Sequence, residues 1–155
     1  LISNATTCIH FQVYIFEDDE TGRQVALALT KAVQKGVKVY LLLDAYASQS
    51  ARGTLADGLQ KAGVEVRWFE PLFKSRNFYF GRRMHHKIVV ADGIAALVGG
   101  INIGDRYNDF PDQPAWLDWA VNTKGQAAIQ LNELCIKLWN RSSTAGEAKL
   151  KPYMN

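Results

Sequence analysis

The sequence has 155 residues, of which 48% are hydrophobic and 21% are charged, and its formal net charge is +3. This length and composition are those of one globular domain with a sizeable core. No stretch approaches the roughly 18 to 20 apolar residues of a membrane span, and no signal peptide is visible. The small net charge does not by itself indicate a nucleic-acid partner. Because the chain begins at Leu1, in what we expect to be mid-sequence, we expect it to be a fragment.

The first predicted elements are a strand and a helix. Residues 8–16 are rich in β-branched and aromatic side chains, which predicts a strand. The acidic run at 17–20 predicts a solvated turn near a helix N-terminus, where negative charge is favourable. Thr21 and Gln24 have the spacing of a capping box and predict the start of that helix. Gly36 predicts its end.

The next elements continue an alternating pattern. A nearly continuous apolar run at 37–43 predicts a central strand that ends at Asp44. Residues 50–62 predict a second helix, and the alternation at 64–69 predicts another strand. Strands joined through helices imply parallel pairing with right-handed crossovers. Asp44 is a weaker site candidate, because clefts form at the carboxyl ends of parallel strands.

A basic segment leads into the second half of the chain. Seven cations fall between residues 61 and 87, against Glu65 and Glu70: Lys61, Arg67, Lys74, Arg76, Arg82, Arg83 and Lys87. This balance favours an anionic substrate. Within it, aromatic and basic residues are interleaved over 70–83. That part is either a surface loop with a few buried anchors or a surface for anionic headgroups or nucleic acid.

The remaining elements complete an α/β fold. Asp92 and Gly93 predict a tight turn between strands at 87–91 and 94–98, and 116–121 predicts a further strand. Gly125 opens a last helix, whose predicted buried stripe is Ala127, Leu131, Leu134, Cys135 and Leu138. We therefore predict a mixed, largely parallel sheet with helices on both faces.

Two boundaries and two cysteines complete this description. Residues 1–141 are predicted to form one lobe, and the polar residues 142–155 a linker or tail. Cys8 and Cys135 lack the spacing of metal ligands and are predicted to be small buried hydrophobes.

One stretch, residues 85–102, carries the chemistry. On a strand, residues two apart share a face, so His85 and Lys87 project together and His86 projects away. Glycines 99 and 100 let backbone approach a bound group, and Asn102 adds a neutral donor. An imidazole, an ammonium and an amide suit a phosphate diester: the histidine attacks phosphorus while the other groups hold the oxygens.

This stretch resembles the HxKx4D…GGxN signature of the phospholipase D superfamily, known as the HKD motif. Six residues match at fixed spacing: His85, Lys87, Asp92, Gly99, Gly100 and Asn102. Six fixed positions match by chance only about once in 10^7 to 10^8 starting points. Further passages are similar to bacterial cardiolipin synthases: YIFEDDETG, KGVKVYLLLD, RRMHHK, GGINIGDRY and WLDW. The likeness covers residues 8–140 and matches the N-terminal half of such an enzyme.

The resemblance implies roles for individual residues. His85 would be the phosphohistidine-forming nucleophile or the partner acid, and Lys87, Asn102 and Gly100 would bind phosphate. Asp118 is the best match to the acidic residue that orients the imidazole about thirty positions beyond it. Asp92 belongs to the catalytic motif, but its position in a turn predicts structural support rather than direct catalysis.

The resemblance also implies what the chain lacks. The family uses two HKD motifs, one histidine attacking and one protonating the leaving oxygen, and this sequence has one. The expected partners are an anionic phospholipid substrate and a second HKD lobe, either the C-terminal half of the parent or a homodimer mate. No metal or cofactor is expected, and the parent is expected at the cytoplasmic face of a bacterial inner membrane, with this fragment soluble.

Two enzymatic hypotheses stay open. The first is one lobe of a phosphatidyltransferase similar to cardiolipin synthase. The alternative is a single-motif phosphodiesterase or nuclease that completes its site as a homodimer, with nucleic acid as substrate. A non-enzymatic hypothesis is a folded domain that binds anionic lipid.

Overall fold

A computed structural model describes residues 1–69, 83–142 and 148–151. The described part contains these strands and α-helices: β1 (Cys8–Val13), α1 (Glu20–Gln34), β2 (Lys38–Asp44), α2 (Leu55–Lys61), β3 (Glu65–Phe69), β4 (Lys87–Ala91), β5 (Ala95–Gly99), β6 (Ala120–Lys124) and α3 (Gln126–Arg141). Short 3-10 turns lie at Ile2–Asn4, Gln49–Ala51 and Asp105–Tyr107. The interleaved aromatic and basic segment that the sequence singled out lies mostly outside the described residues.

The described strands form one mixed sheet in the order β3-β2-β1-β4-β5-β6. The pairs β1–β2 and β2–β3 are parallel, as the alternation of strands and helices predicted. The pairs β1–β4, β4–β5 and β5–β6 are antiparallel. The predicted α/β class is therefore confirmed, but the parallel share of the sheet is smaller than the sequence suggested, because hairpins follow the motif strand.

Helices cover both faces of the sheet. On one face, α1 and α2 pack over the residues of β1 and β2 that alternate with Gln12, and these form the largest apolar cluster. On the other face, α3 packs over two smaller clusters, one around Trp139 and one around Cys135. Both cysteines are buried, as predicted.

The first helix begins earlier than the capping box predicted. Its N-cap is Asp19, whose carboxylate accepts the Gly22 N–H at 2.9 Å. Gln24 instead donates to the Glu20 carboxylate, one turn back. Asp is as good an N-cap as Thr, and here the acidic run supplies it. The predicted Thr21 start was wrong by two residues.

Two further elements differ from their predicted bounds. The second helix is shorter than 50–62, because a 3-10 turn takes its first part, and β6 begins at Ala120 rather than at 116. The last helix begins after Gly125 as predicted, and of the predicted stripe Cys135 is buried and Leu131 and Leu138 are partly buried, whereas Ala127 and Leu134 are exposed. The residues it buries are Ala128, Asn132, Cys135, Ile136 and Trp139. Leu134 is 41% exposed.

Leu150, in the described stretch 148–151, contacts the last helix. The Asn140 side chain donates to the Leu150 carbonyl and accepts its N–H, both at 2.7 Å, and Leu150 packs against the Trp139 cluster. The division into a lobe at 1–141 and a tail at 142–155 stays a prediction. In the described residues, no helix has both the length and the apolar character needed to cross a bilayer.

Candidate active site

The sheet brings several chain segments together at one end. Val13, the last residue of β1, lies beside Lys87, the first of β4. Because β4–β5 and β5–β6 are antiparallel, Gly99 and Ala120 lie at the same end. Parallel pairing adds Asp44, the last residue of β2. The motif therefore stands where strand ends converge, the usual position of a site in a sheet of this kind.

His85 and Lys87 are in direct contact. The Lys87 Nζ lies 3.2 Å from Nδ1 and 3.3 Å from Nε2 of the His85 ring, and it donates to the His85 carbonyl at 3.1 Å. Because an ammonium can only donate, a ring nitrogen that bonds to it is the unprotonated acceptor. The pair thus places the imidazole beside a fixed cation, as the shared strand face predicted.

The Lys87 ammonium is largely shielded from solvent. The residue is 8% exposed, and burial lowers the pKa of the amine, while the nearby Asp118 carboxylate acts in the opposite direction. The aromatic ring of Tyr14 lies over the ammonium, with its centroid 5.1 Å away, and contacts the His85 ring at 4.6 Å. Tyr14 therefore orders both members of the pair.

The two glycines make room for another segment of the chain. A Cβ at Gly100 would lie 2.1 Å from Oδ1 of Asp118, and a Cβ at Gly99 would lie 2.1 Å from the Trp119 carbonyl oxygen. The Gly100 N–H donates to that same carbonyl at 2.9 Å. The absence of side chains thus admits the segment that carries Asp118. Approach of Gly100 to a phosphate stays a prediction.

Asp118 reaches the motif but is not hydrogen-bonded to its histidine. Its Oδ1 accepts the Trp119 N–H at 2.7 Å, and its charge acts on Lys87. Within the described residues it makes no hydrogen bond to the His85 ring. The structure therefore brings the predicted carboxylate to the site, while its orienting role stays a prediction.

Asn102 is buried at the same end of the sheet. Its Oδ1 accepts the Ile15 N–H at 3.1 Å, and its Nδ2 donates to the Tyr107 hydroxyl at 2.9 Å. The amide thus ties the segment after β5 to the segment after β1. An amide has two N–H donors, so one remains for a ligand.

Asp92 lies at the opposite end of β4, away from His85. Its carboxylate accepts the backbone N–H groups of Thr6, Thr7 and Cys8 at 2.7–3.1 Å, and the Thr6 hydroxyl at 3.0 Å. Burial raises the pKa of this carboxyl, but those N–H donors more than offset it, so the pKa is lowered. The structure does not place Asp92 with the catalytic set. It supports the start of β1, as its position in a turn predicted.

Asp44 is also a structural residue. It is fully buried, and its Oδ1 accepts the N–H groups of Tyr46 and Ala47 at 3.1 and 3.0 Å. Its Oδ2 accepts the Met84 N–H at 3.0 Å, one residue before His85. Asp44 therefore fixes the chain that enters the motif, and all its described contacts are to backbone.

His86 faces the other side of the sheet, as predicted. Its Nδ1 lies 3.0 Å from Oε1 of Gln12, and Gln12 donates to the Cys135 carbonyl of α3 at 2.8 Å. Burial, followed by the nearby Lys87 charge, lowers the pKa of His86. The two adjacent histidines thus have separate surroundings, one at the site and one against the last helix.

The acidic run is more than a solvated turn. Glu17 forms an ion pair with Arg106. Asp19 accepts the Asp105 backbone N–H at 2.7 Å through Oδ2, because its Oδ1 accepts the N-cap hydrogen bond from Gly22. Asp105 in turn accepts the Thr21 N–H at 2.8 Å. These exchanged bonds dock the segment after Asn102 onto the start of α1.

Two residues at the site were not predicted from the sequence. Tyr14 contacts His85 and Lys87, and Tyr107 contacts Asn102. The only signal for Tyr14 was its place at the end of a predicted strand that runs beside the motif. Tyr107 lies within GGINIGDRY, a passage already noted for its likeness.

Comparisons with known proteins agree with this geometry. Residues 1–117 match the family model for the cardiolipin synthase, PLD-like domain. Over 99% of this chain, the sequence is 33% identical to cardiolipin synthase 1 of Bacillus anthracis. Over 89% of this chain, it is 37% identical to cardiolipin synthase A of Pseudomonas fluorescens. It spans 31% and 29% of those two relatives.

Solved structures show the same fold. Nuc of Salmonella typhimurium, a phospholipase D family member, matches 91% of this chain and 80% of its own, with a TM-score of 0.63 and 19% identity. NucT of Helicobacter pylori matches 91% of this chain and 81% of its own, with a TM-score of 0.67 and 20% identity. These structures share the fold, and the match of residues 1–117 to the family model establishes that the chain belongs to the cardiolipin synthase, PLD-like domain family.

Proposed function

We propose that this chain is one lobe of a phosphatidyltransferase similar to cardiolipin synthase, which transfers a phosphatidyl group to a lipid alcohol through a phosphohistidine at His85. The observation that carries the proposal is the contact between Lys87 Nζ and the His85 ring at 3.2 Å. It sets the imidazole beside the cation that a phosphate diester needs. The identity to cardiolipin synthases supports the phosphatidyl substrate.

The first chemical step would form the phosphohistidine. A His85 ring nitrogen attacks phosphorus, the bond from phosphorus to the leaving oxygen breaks, and the leaving oxygen takes a proton from a second imidazole. Lys87 and Asn102 hold the non-bridging oxygens while charge develops on them. Asp118 stabilises the charged form of the imidazole. In the second step an acceptor hydroxyl attacks phosphorus, its proton returns to the second imidazole, and the phosphorus–nitrogen bond breaks.

The second imidazole has to come from another lobe. The sequence has three histidines. His86 is bonded to Gln12 on the opposite face, and His10 is buried and stacked on Tyr40 at 4.9 Å. Only His85 is at the site. We infer that a second HKD lobe, from the same parent or from another copy of the chain, supplies the acid.

Exposed apolar side chains beside the site support this inference. Trp116 is 61% exposed, Leu117 88% and Trp119 76%, and they flank Asp118. Contiguous apolar surface of this kind marks a contact surface. A lobe placed there would cover these side chains and bring its own motif to face His85.

Substrate and location follow from the same proposal. The basic balance of the sequence before the motif suits an anionic phospholipid. We place the parent enzyme at the cytoplasmic face of a bacterial inner membrane, where such a lipid is available.

A second candidate function has its own support. The chain covers 80% and 81% of Nuc and NucT, but about a third of the cardiolipin synthases. A homodimer of single-motif phosphodiesterase or nuclease chains with this fold would complete the site with the second copy's own His85. The coding sequence discriminates between the two: a second HxK about 150 to 200 residues downstream, one further domain, favours the transferase. A stop codon near Asn155 favours the homodimer.

A transfer assay tests the proposal. The chain, alone and together with a second HKD lobe, is given a phospholipid and an excess of a lipid alcohol, and in parallel single-stranded DNA. We expect a new phospholipid and, after rapid acid-free quenching, a phosphatidyl adduct on the peptide that contains His85. If the assembly binds anionic lipid but no histidine carries an adduct, the non-enzymatic hypothesis would be favoured. Cleavage of DNA without lipid transfer would favour the nuclease.

A further inference from the structure

The hydrogen bond between Asn102 and Tyr107 has a fixed direction. The Asn102 Oδ1 accepts a backbone N–H, that of Ile15 at 3.1 Å, so the amide nitrogen is the atom that faces the Tyr107 hydroxyl at 2.9 Å. An amide nitrogen can only donate, and the phenol oxygen is therefore the acceptor. The proton of that hydroxyl must point elsewhere. In the described residues it meets no acceptor.

The ring of Tyr107 is held in place from two sides. Trp116 packs against it edge to face, with the centroids 5.9 Å apart, and the Arg106 guanidinium carbon lies 5.8 Å from its centroid. The Trp116 N–H donates to the Arg106 carbonyl at 2.8 Å, which closes this group. The hydroxyl is thus positioned by Asn102, while the ring is positioned by its neighbours.

The hydroxyl lies next to the predicted phosphate-binding groups. Trp116 precedes Asp118 by two residues, and Asp118 acts on Lys87 and packs against Gly100. Asn102 follows Gly100 by two residues. Tyr107 therefore borders the same end of the sheet as Lys87, with a donor that has no partner in the described chain.

We propose that Tyr107 is a phosphate-binding residue: its hydroxyl donates to a non-bridging oxygen of the substrate, beside the remaining N–H of Asn102. This assignment rests on the proposed function. Asn102 has one N–H left and Lys87 supplies the cation, so the Tyr107 hydroxyl would be a further neutral donor to the non-bridging oxygens. The hydrogen bond that Asn102 donates to the phenol oxygen also makes the phenol proton a better donor, because consecutive hydrogen bonds polarise one another.

The first test measures anion binding. The full chain is titrated with orthovanadate and with inorganic phosphate, as wild type, Tyr107→Phe and Tyr46→Phe. Tyr46 is 54% exposed, and Tyr46→Phe is the matched control because it also removes one tyrosine hydroxyl. Loss of a hydrogen bond to a charged ligand weakens binding about tenfold. We expect that loss for Tyr107→Phe alone. Equal binding by Tyr107→Phe and wild type would overturn the assignment and leave the proposed function standing. No binding by wild type would overturn both.

The second test separates contact with phosphate from support of Asn102. In an active assembly, cleavage rates are compared for the two diastereomers of a phosphorothioate diester, in which sulfur replaces one non-bridging oxygen. Sulfur accepts hydrogen bonds poorly, so wild type should discriminate between them. Tyr107→Phe should reduce that ratio about tenfold, the value of one such bond. The same comparison is made in an Asn102→Ala background, where a Tyr107 that only supports Asn102 would leave the ratio unchanged on Tyr107→Phe, which would overturn the proposal. The ratio does not depend on the folded fraction.

Discussion

The adjacent histidines at positions 85 and 86 make different contacts. His85 contacts Lys87, whereas His86 contacts Gln12 on the far face of the sheet. In any assembly that turns over, His85→Ala should reduce diester cleavage to background, because no other group forms the missing bond to phosphorus. His86→Ala should retain most of the activity and lose some stability. Initial rates with a chromogenic phosphodiester measure both. If His86→Ala were the more damaging change, the assigned face of the strand would be wrong.

The carboxylate of Asp118 allows a finer test. Asp118→Asn keeps the size of the side chain that packs against Gly100 but removes its charge. We expect the fold to survive and the rate to fall by about 10² to 10⁴, as orientation and stabilisation of the imidazolium are lost. Steady-state kinetics in an active assembly, with Asp112→Asn as an exposed control, measure the effect. A wild-type rate for Asp118→Asn would assign the orienting role to another group.

At this scale the sequence predicted the residues better than their contacts. The period of two along a strand was enough to put His85 and Lys87 on one face and His86 on the other. It could not show that the glycine at 100 makes room for Asp118, because that contact joins segments brought together only by the β5–β6 pairing. Tyr14 was missed because its contact with His85 also joins segments that are distant in the sequence, here brought together by the β1–β4 pairing.

Among the elements, the turn between β4 and β5 is tied to the start of β1 by one side chain. Asp92 accepts three backbone N–H groups there, and its φ is 53°. Asp92→Asn tolerates that backbone angle but places an amide where the donors need a charged acceptor. We expect unfolding free energy to fall by about 2 to 3 kcal/mol. Turnover per folded molecule should stay unchanged.

Urea unfolding of Asp92→Asn beside Asp112→Asn, together with rates in an active assembly, tests this role. The exposed Asp112 variant should match wild type. A large loss of turnover in Asp92→Asn at full folding would return Asp92 to the catalytic set.

The packing of β1 and β2 makes stability depend on pH. His10 is 2% exposed, and burial lowers its pKa from 6.5 to about 4. Between those values the unfolded chain binds more protons at this site than the folded chain, so stability falls as the pH falls. The shift corresponds to about 3 kcal/mol, fully expressed below the folded value. His10→Phe keeps a ring against Tyr40 and cannot titrate, so its stability should change less across this window.

Denaturant unfolding at several pH values between 7 and 4 checks that difference. His86, whose pKa burial also lowers, remains in both proteins, so only the contribution of His10 is removed. The same pH dependence in wild type and His10→Phe would show that His10 carries no burial penalty.

The order of elements was readable from the sequence, but their ends were not. Apolar runs and glycine stops located the strands and helices, and the parallel β1–β2–β3 unit followed from their alternation. The N-cap was misplaced because Asp19 and Thr21 are both good caps, and tertiary contacts with Asp105 decide between them. The buried side of α3 was predicted only in part: Cys135 is buried as expected, but Trp139 rather than Leu134 packs in the core.

For the whole molecule, the proposed mechanism needs two imidazoles, and the described fold brings one to the site. His85, Lys87 and the Asp118 carboxylate lie at one end of the sheet. Beside them are exposed tryptophans that a second lobe could cover. General acid assistance contributes about 10² to 10⁴ in rate. A single copy of this chain should therefore be nearly inactive even with His85, Lys87 and Asn102 in place.

The most direct test measures mass and activity on the same sample. Light scattering gives the mass of the species in solution, while a chromogenic phosphodiester gives its turnover over a range of concentrations. We expect little activity at monomer mass, and a steep rise when the chain dimerises or when a second HKD lobe is added. Trp119→Ala, which removes an exposed side chain beside the site, should weaken that association. A fully active species of monomer mass would contradict the requirement for two histidines.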